Sequence, residues 1–284
     1  MIGQNVSITS KKGNKMRNEL IYNDKKNESI QYDDYISGLA KGLSLLECFG
    51  TERQKLNVTQ IAERTGLSRS AARRYLRTLK FLGYLETDEH FYWLTYKVLR
   101  FSSAYLGSAY LPKIAQPMLN LLSIKTALSF SVTVLDEHEV VPVAKSVPQQ
   151  NEANKLIPLG THLGNRLPAY ATSTGKLLLS QLSEEELNDW LDRYPLKRLT
   201  PFTVTDRTEF LKTIKEIQKS DYCISIEEHE LGVIAIAVPI LDMQGNQMAA
   251  LNCIGISSRI TESYLIQNTL PLLKQTAHNL RAIL

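Results

Sequence analysis

Apolar positions change their period along the chain, and the changes divide it. Residues 1–32 are polar and irregular, with too little apolar surface to offset the entropy of ordering, and predict a mobile tail. From Tyr35 to Phe49, Ile36, Leu39, Leu43 and Leu46, then Cys48 or Phe49, recur near helical spacing. Thr59 is the expected N-cap of a short helix that stops at Gly66, and Ser68 the N-cap of a longer one that stops at Gly83. "YLETDEHFYWLT" alternates around Asp88-Glu89-His90 and predicts a two-stranded wing. "YKVLRFSSAYLGSAYL" predicts a linking helix ending before Pro112. Beyond it the pattern becomes mixed. Strands are expected in "SFSVTVLDEHEVVPVAKSV" and "GVIAIAVPILDMQGNQMAALNCIGIS". Helices are expected at "TSTGKLLLSQL", at "SEEELNDWLDRY" (opened by a Ser183/Glu186 capping box), at "DRTEFLKTIKEIQKS", and at a closing helix bent at Pro271. The fold class is α+β: tail 1–32, winged helix-turn-helix 33–95, linking helix 96–111, and a second domain 112–284.

"TQIAERTGLSRSAARRYLRTLKFLGYL" carries the sharpest signal. Ala62 is small enough for a tight helix crossing, Gly66 suits a turn needing positive φ, and Ala72 lets the second helix pack on the first. Ile61, Leu67, Tyr75, Leu76 and Leu79 form the expected shared core. From 68 to 80 the sequence holds five cations and no acid, unlike an ordinary surface helix that mixes signs. Such a helix suits the major groove of duplex DNA. Ser68, Arg69, Ser70, Arg73 and Arg74 are expected near base edges, Arg77 at phosphate, and Thr59 at the start of the preceding helix. The wing, without Lys or Arg from Asp88 to Phe91, is a doubtful DNA contact.

Charge follows the same division. Residues 1–100 hold 17 Lys+Arg against 11 Asp+Glu, and the rest hold 16 against 18, so the basic surplus lies with the helix-turn-helix. Three scattered cysteines fit a reducing cytoplasm, and no apolar run suggests a signal peptide or membrane span. "ATSTGK" resembles the end of a phosphate-binding loop, but Tyr170 stands where the first glycine belongs and Leu177 where a hydroxyl is needed to hold Mg²⁺. Nucleotide hydrolysis is therefore not expected. "EEH" at 227–229 offers metal-type ligands, but neighbours on a strand face opposite ways, and Cys223 with His229 lacks an orienting partner for nucleophilic work. No catalytic residue, metal or cofactor is expected.

These motifs, with "RLPAYATSTGK", "EEHELGVIAIAVPILD" and "AALNCIGISSRIT", make residues 34–284 similar to the IclR family of bacterial transcription regulators. "SRSAARRYLRTL" and "AYLPKIAQPML" resemble its branch that regulates protocatechuate and 4-hydroxybenzoate catabolism, commonly as activators. The resemblance implies a profilin- or GAF-like effector domain with an antiparallel sheet. It also implies a homodimer or dimer of dimers on pseudo-palindromic operator DNA, with contact to RNA polymerase if the chain activates. The helix beginning at "ATSTGK" would border an effector pocket. Thr172, Ser173 and Thr174 would offer hydroxyls and helix-end amides to a carboxylate. Arg166 would offer its fork to the same group or to a surface ion pair. Family positions carried across give Ser225, Val233, Ala235, Asn252 and Ile254, a pocket suited to a small aromatic acid. Two other readings remain: a small-molecule enzyme with an appended DNA-binding module, which predicts turnover, and an architectural DNA binder, which predicts no saturable acid binding.

Overall fold

The computed structural model describes residues 6–9, 20–23, 28–50, 54–148 and 162–284. The chain divides into two compact units, Met1–Ser103 and Ala104–Leu284. The division falls inside helix α4 (Leu99–Ser108).

The first unit opens with three short strands, β1 (Val6–Thr9), β2 (Leu20–Asn23) and β3 (Glu28–Gln31), paired antiparallel in that order. The sequence reading has irregular chain here. The runs VSIT, LIYN and ESIQ carry β-branched and aromatic residues that favour pairing. The remainder of the expected tail up to residue 27 lies outside the described residues.

Helix α1 (Ser37–Glu47) is where expected but turned differently. Its expected inward stripe is exposed at Ile36, Leu39 and Leu43. Leu45 is the buried residue of the helix, and the expected stripe holds only at its end, where Cys48 is buried and Leu46 and Phe49 pack against the core. Tyr75 lies beside Gly38 and Gly42, 3.8 and 3.9 Å from where side chains on them would begin, an ordinary van der Waals separation. Helix α2 (Val58–Thr65) is capped by Asn57 rather than Thr59. Asn57 Oδ1 accepts from Gln60 N at 3.0 Å, while Asn57 N donates to Gln60 Oε1 at 2.9 Å. Gly66 ends α2 at φ 69°, and Ser68 caps α3 (Arg69–Phe81), both as expected. Leu45, Leu56, Ile61, Ala72, Leu76 and Leu85 close this core. Strands β4 (Leu85–Thr87) and β5 (Tyr92–Leu94) form the wing, and Leu56 bridges to Tyr92 beside it.

The second unit begins with α5 (Tyr110–Thr126), which the sequence reading passes over because Pro112 and Pro117 interrupt its pattern. Pro112 sits in the first turn, where no intrahelical N–H is needed, and Pro117 is tolerated inside. A six-stranded antiparallel sheet follows, in the order β8-β7-β6-β11-β10-β9. Its strands are β6 (Ser129–Asp136), β7 (Glu139–Ser146), β8 (Leu167–Pro168), β9 (Cys223–Ile226), β10 (Val233–Leu241) and β11 (Gln247–Ile256). Strand β9 is also absent from the sequence reading. Helices α6 (Ser173–Leu179), α7 (Glu184–Arg193) and α8 (Arg207–Ser220) match it. The last helix contains α9 (Glu262–Tyr264), a π-helical turn at Leu265–Thr269, and α10 (Leu270–Arg281). Pro271 has no N–H to close the preceding turn, and the wider π turn sits there.

The alternation of side chains along a strand gives this sheet two unlike faces. Phe130, Val132, Ile234, Ile236, Val238, Leu251 and Cys253 point to one face and pack with α5 and α10. The other face carries smaller and more polar groups toward α6, among them Ser131, Thr133, Ser225, Ala235 and Asn252. Ser131 pairs with Asn252 across β6 and β11, and its hydroxyl donates to Asn252 Oδ1 at 2.5 Å.

Candidate functional site

Two regions carry the candidate chemistry. On α3, Ala72, Leu76 and Leu79 are buried, while Arg69, Ser70, Arg73, Arg74, Arg77 and Lys80 are exposed. Among the described residues none of these five cations forms an ion pair with a carboxylate. Ser68 Oγ accepts from Ala71 N at 3.2 Å and lies 3.0 Å from Ser70 Oγ, so the cap serine is tied to the helix it opens. Thr59 lies within α2, half-buried. The result is an amphipathic helix whose outward face offers hydroxyls and positive charge, and no carboxylate of its own, to a polyanion.

The second region is a cavity between α6 and the small-residue face of the sheet. It holds about 70 Å³ of space open to the centres of water molecules. One water needs roughly 10–15 Å³ on this measure, so a small ring compound fits and an oligomer does not. Thr172, Ser173, Thr174, Ser225, Val233, Ala235, Asn252 and Ile254 all line it. Arg166 does not. Its Nη2 donates to Asp136 Oδ2 at 2.5 Å and its Nε to Glu139 Oε2 at 2.6 Å, so the fork is spent on a surface ion pair.

Residues outside the sequence-based set complete the walls: Ser131 and Thr133 on β6, Lys145 on β7, and Glu228, His229 and Glu230 after β9. Polar alternation in "SFSVTV" was the available signal for the first two; Lys145 and Glu228 carried none. Burial holds the Lys145 ammonium below the usual lysine pKa, lowers the His229 imidazole and raises the Glu230 carboxyl.

Helix α6 explains the Gly-Lys step. A Cβ on Gly175 would fall 2.1 Å from the Ala169 carbonyl oxygen, so this glycine serves a close backbone crossing. Lys176 is buried and paired with Glu228 Oε1, not turned to a phosphate. Thr172 Oγ1 accepts from Gly175 N at 3.0 Å, capping a helix of only two turns. An anion entering this cavity would meet hydroxyls and Lys145 rather than the end of a long helix. The "EEH" stretch does not converge: Glu227 accepts from Ser257 Oγ at 2.5 Å while Glu228 turns to Lys176. Among the described residues no three His, Cys, Asp or Glu side chains gather as a metal site. The thiols of Cys48, Cys223 and Cys253 are buried, and burial pushes them up to about 11, 11 and 12, which leaves them inert.

Residues 38–89 match the IclR helix-turn-helix domain, and residues 103–282 match the C-terminal domain of the bacterial transcriptional regulator IclR. The chain belongs to the IclR family. It is a transcription regulator of α+β architecture, with a helix-turn-helix for DNA and a separate C-terminal domain. Among IclR-family relatives, it is 63% identical to the p-hydroxybenzoate hydroxylase transcriptional activator of Acinetobacter baylyi, over 89% of this chain and 94% of that one. It is 49% identical to the Pca operon regulatory protein of the same organism, over 94% of this chain and 95% of that one. The solved inducer-binding domain of an Acinetobacter PobR double mutant, in complex with 3-hydroxybenzoic acid, is 58% identical. It aligns with a TM-score of 0.59 over 62% of this chain and all of that one. Among the described residues no helix is long and apolar enough to cross a membrane.

Proposed function

We propose that this IclR-family regulator activates genes for the catabolism of hydroxylated benzoates in the cytoplasm, in response to such an acid bound in the α6 cavity. The observation that carries the proposal is the cavity itself. It is ring-sized, walled by apolar Val140, Leu167, Val233 and Ile254, and furnished with hydroxyls and the Lys145 ammonium. The names of the two Acinetobacter relatives and the acid held by the PobR domain support the ligand class. Operator contact falls to α3, with Ser68, Arg69, Ser70, Arg73 and Arg74 at base edges and Arg77 at phosphate. Thr59 stands at the DNA-facing start of α2. A homodimer, or a dimer of dimers, on a pseudo-palindromic operator follows from this reading, as does contact with RNA polymerase. Whatever free energy the acid contributes to operator binding, the operator returns to acid binding.

Isothermal titration with 4-hydroxybenzoate, protocatechuate and succinate tests the proposal. Saturable binding of an aromatic acid alone is the expected result. Binding of none by folded protein, or of succinate as tightly, sinks it.

A further inference from the structure

Building on the effector reading above, we infer that Glu228 is the group that selects a hydroxyl-bearing acid, by accepting a hydrogen bond from the ligand's phenolic O–H. Glu228 lines the cavity and is more than nine-tenths buried. Its two carboxylate oxygens are not equivalent. Oε1 accepts from the buried ammonium of Lys176, whereas Oε2 is buried with no hydrogen-bond partner among the described residues. An anionic oxygen deprived of both water and a donor is costly, and a donor from the cavity side removes that cost.

The backbone that carries this carboxylate is also held from behind. Thr203 Oγ1 donates to the Glu228 carbonyl at 2.7 Å and Thr200 Oγ1 to the Glu227 carbonyl at 2.6 Å. With that backbone fixed, the side chain cannot swing out to find another partner without breaking the Lys176 pair.

This placement also sets the direction of the ligand. Glu228 follows β9, while Lys145 lies on β7, with β10, β11 and β6 between those strands in the sheet. A carboxylate is repelled at the Glu228 flank and attracted at the Lys145 flank. The acid enters with its hydroxyl toward Glu228 and its carboxylate toward Lys145. Benzoate, which lacks the hydroxyl, leaves Oε2 orphaned. A methyl ether sets an acceptor against an acceptor.

The test is calorimetric titration of the full chain with 3- and 4-hydroxybenzoate, benzoate and 4-methoxybenzoate, repeated on the charge-neutral double variant Lys176→Met/Glu228→Met. In the unaltered protein the better hydroxybenzoate should bind roughly ten- to a hundredfold more tightly than benzoate, the range of one charge-assisted hydrogen bond. In the double variant that ratio should fall to about one, with benzoate affinity little changed. Equal affinity for benzoate and hydroxybenzoate in the unaltered protein overturns the inference while leaving the sensor reading intact. So does an unchanged ratio in a folded double variant. Failure of every aromatic acid to bind the unaltered protein overturns both. If the double variant does not fold, the ligand series on the unaltered protein still decides.

Discussion

Charge is used in opposite ways by α3 and by the α6 cavity. Helix α3 holds its five cations exposed, none of them paired with a carboxylate among the described residues, on a face fixed by Ala72, Leu76 and Leu79 behind it. Beside the cavity, Lys176 is held out of water against the Glu228 carboxylate. Exposed cations cost little to keep unpaired and gain when counterions leave a phosphate backbone. A buried ion pair gains little over an apolar pair, but it is intolerant of losing one member. Removing a charge from the first region should therefore change binding and spare stability, while removing Lys176 from the second should cost stability.

The sharpest way to break that contrast is Lys176→Ala. It strands Glu228 in the interior and should cost about 3–5 kcal/mol in urea unfolding, most of which the Lys176→Met/Glu228→Met double variant should restore. A cost under about 1 kcal/mol would mean that water reaches the pair. Gly175→Ala comes next, since its Cβ must push the Ala169 backbone aside. A loss of roughly 1–3 kcal/mol in the same assay is expected, as for other overpacked sites. On the other side of the contrast, Arg73→Ala should weaken operator binding by about 1–3 kcal/mol with the melting temperature unmoved. A fall in melting temperature would show that the arginine also supports the fold.

The smallest effect concerns pH. Burial lowers the His229 pKa in the folded chain, so the unfolded chain binds more protons below about pH 6.5. Stability from this residue is present above that pH and is lost as pH falls. Glu230 acts the other way: its raised pKa makes the folded chain bind a proton more readily, a contribution lost as pH rises through the folded value. His229→Gln should accordingly flatten the decline of melting temperature between about pH 6.5 and 5.5. An unaltered decline would assign the acid sensitivity to other groups.

The same two regions differ in how far they can be read before folding. Helix α3 is written locally: Gly66 and Ser68 set its turn and cap, and its charge is one continuous run. The cap of α2 was misplaced because Asn57, Thr59 and Gln60 all carry side chains able to bond the backbone, and only geometry selects the Asn57–Gln60 pair. In α1 the apolar residues Ile36, Leu39, Leu43, Leu45 and Leu46 lie on several sides of the helix, and the periodicity alone does not say that Leu45 takes the buried place. The cavity is built from distant partners: Lys176 meets Glu228 52 residues on, and Ser131 meets Asn252 121 residues on. Hydroxyls at 172–174 were visible as candidates, but no local pattern says that Lys145 and Glu228 face the same space or that Arg166 turns away to Asp136 and Glu139.

The two-faced sheet bears on how such a regulator can diversify. In β6, odd-numbered Ser129, Ser131 and Thr133 look toward the cavity side, while even-numbered Phe130 and Val132 belong to the opposite core. Ligand preference and structural integrity are thus written in alternate letters of one strand. If the proposed acid binds there, exchanges among small residues at the odd positions would retune which acid is admitted without touching the packing beneath α5 and α10. A lineage can explore new inducers by single steps, provided that no insertion shifts the strand by one residue and trades one alphabet for the other.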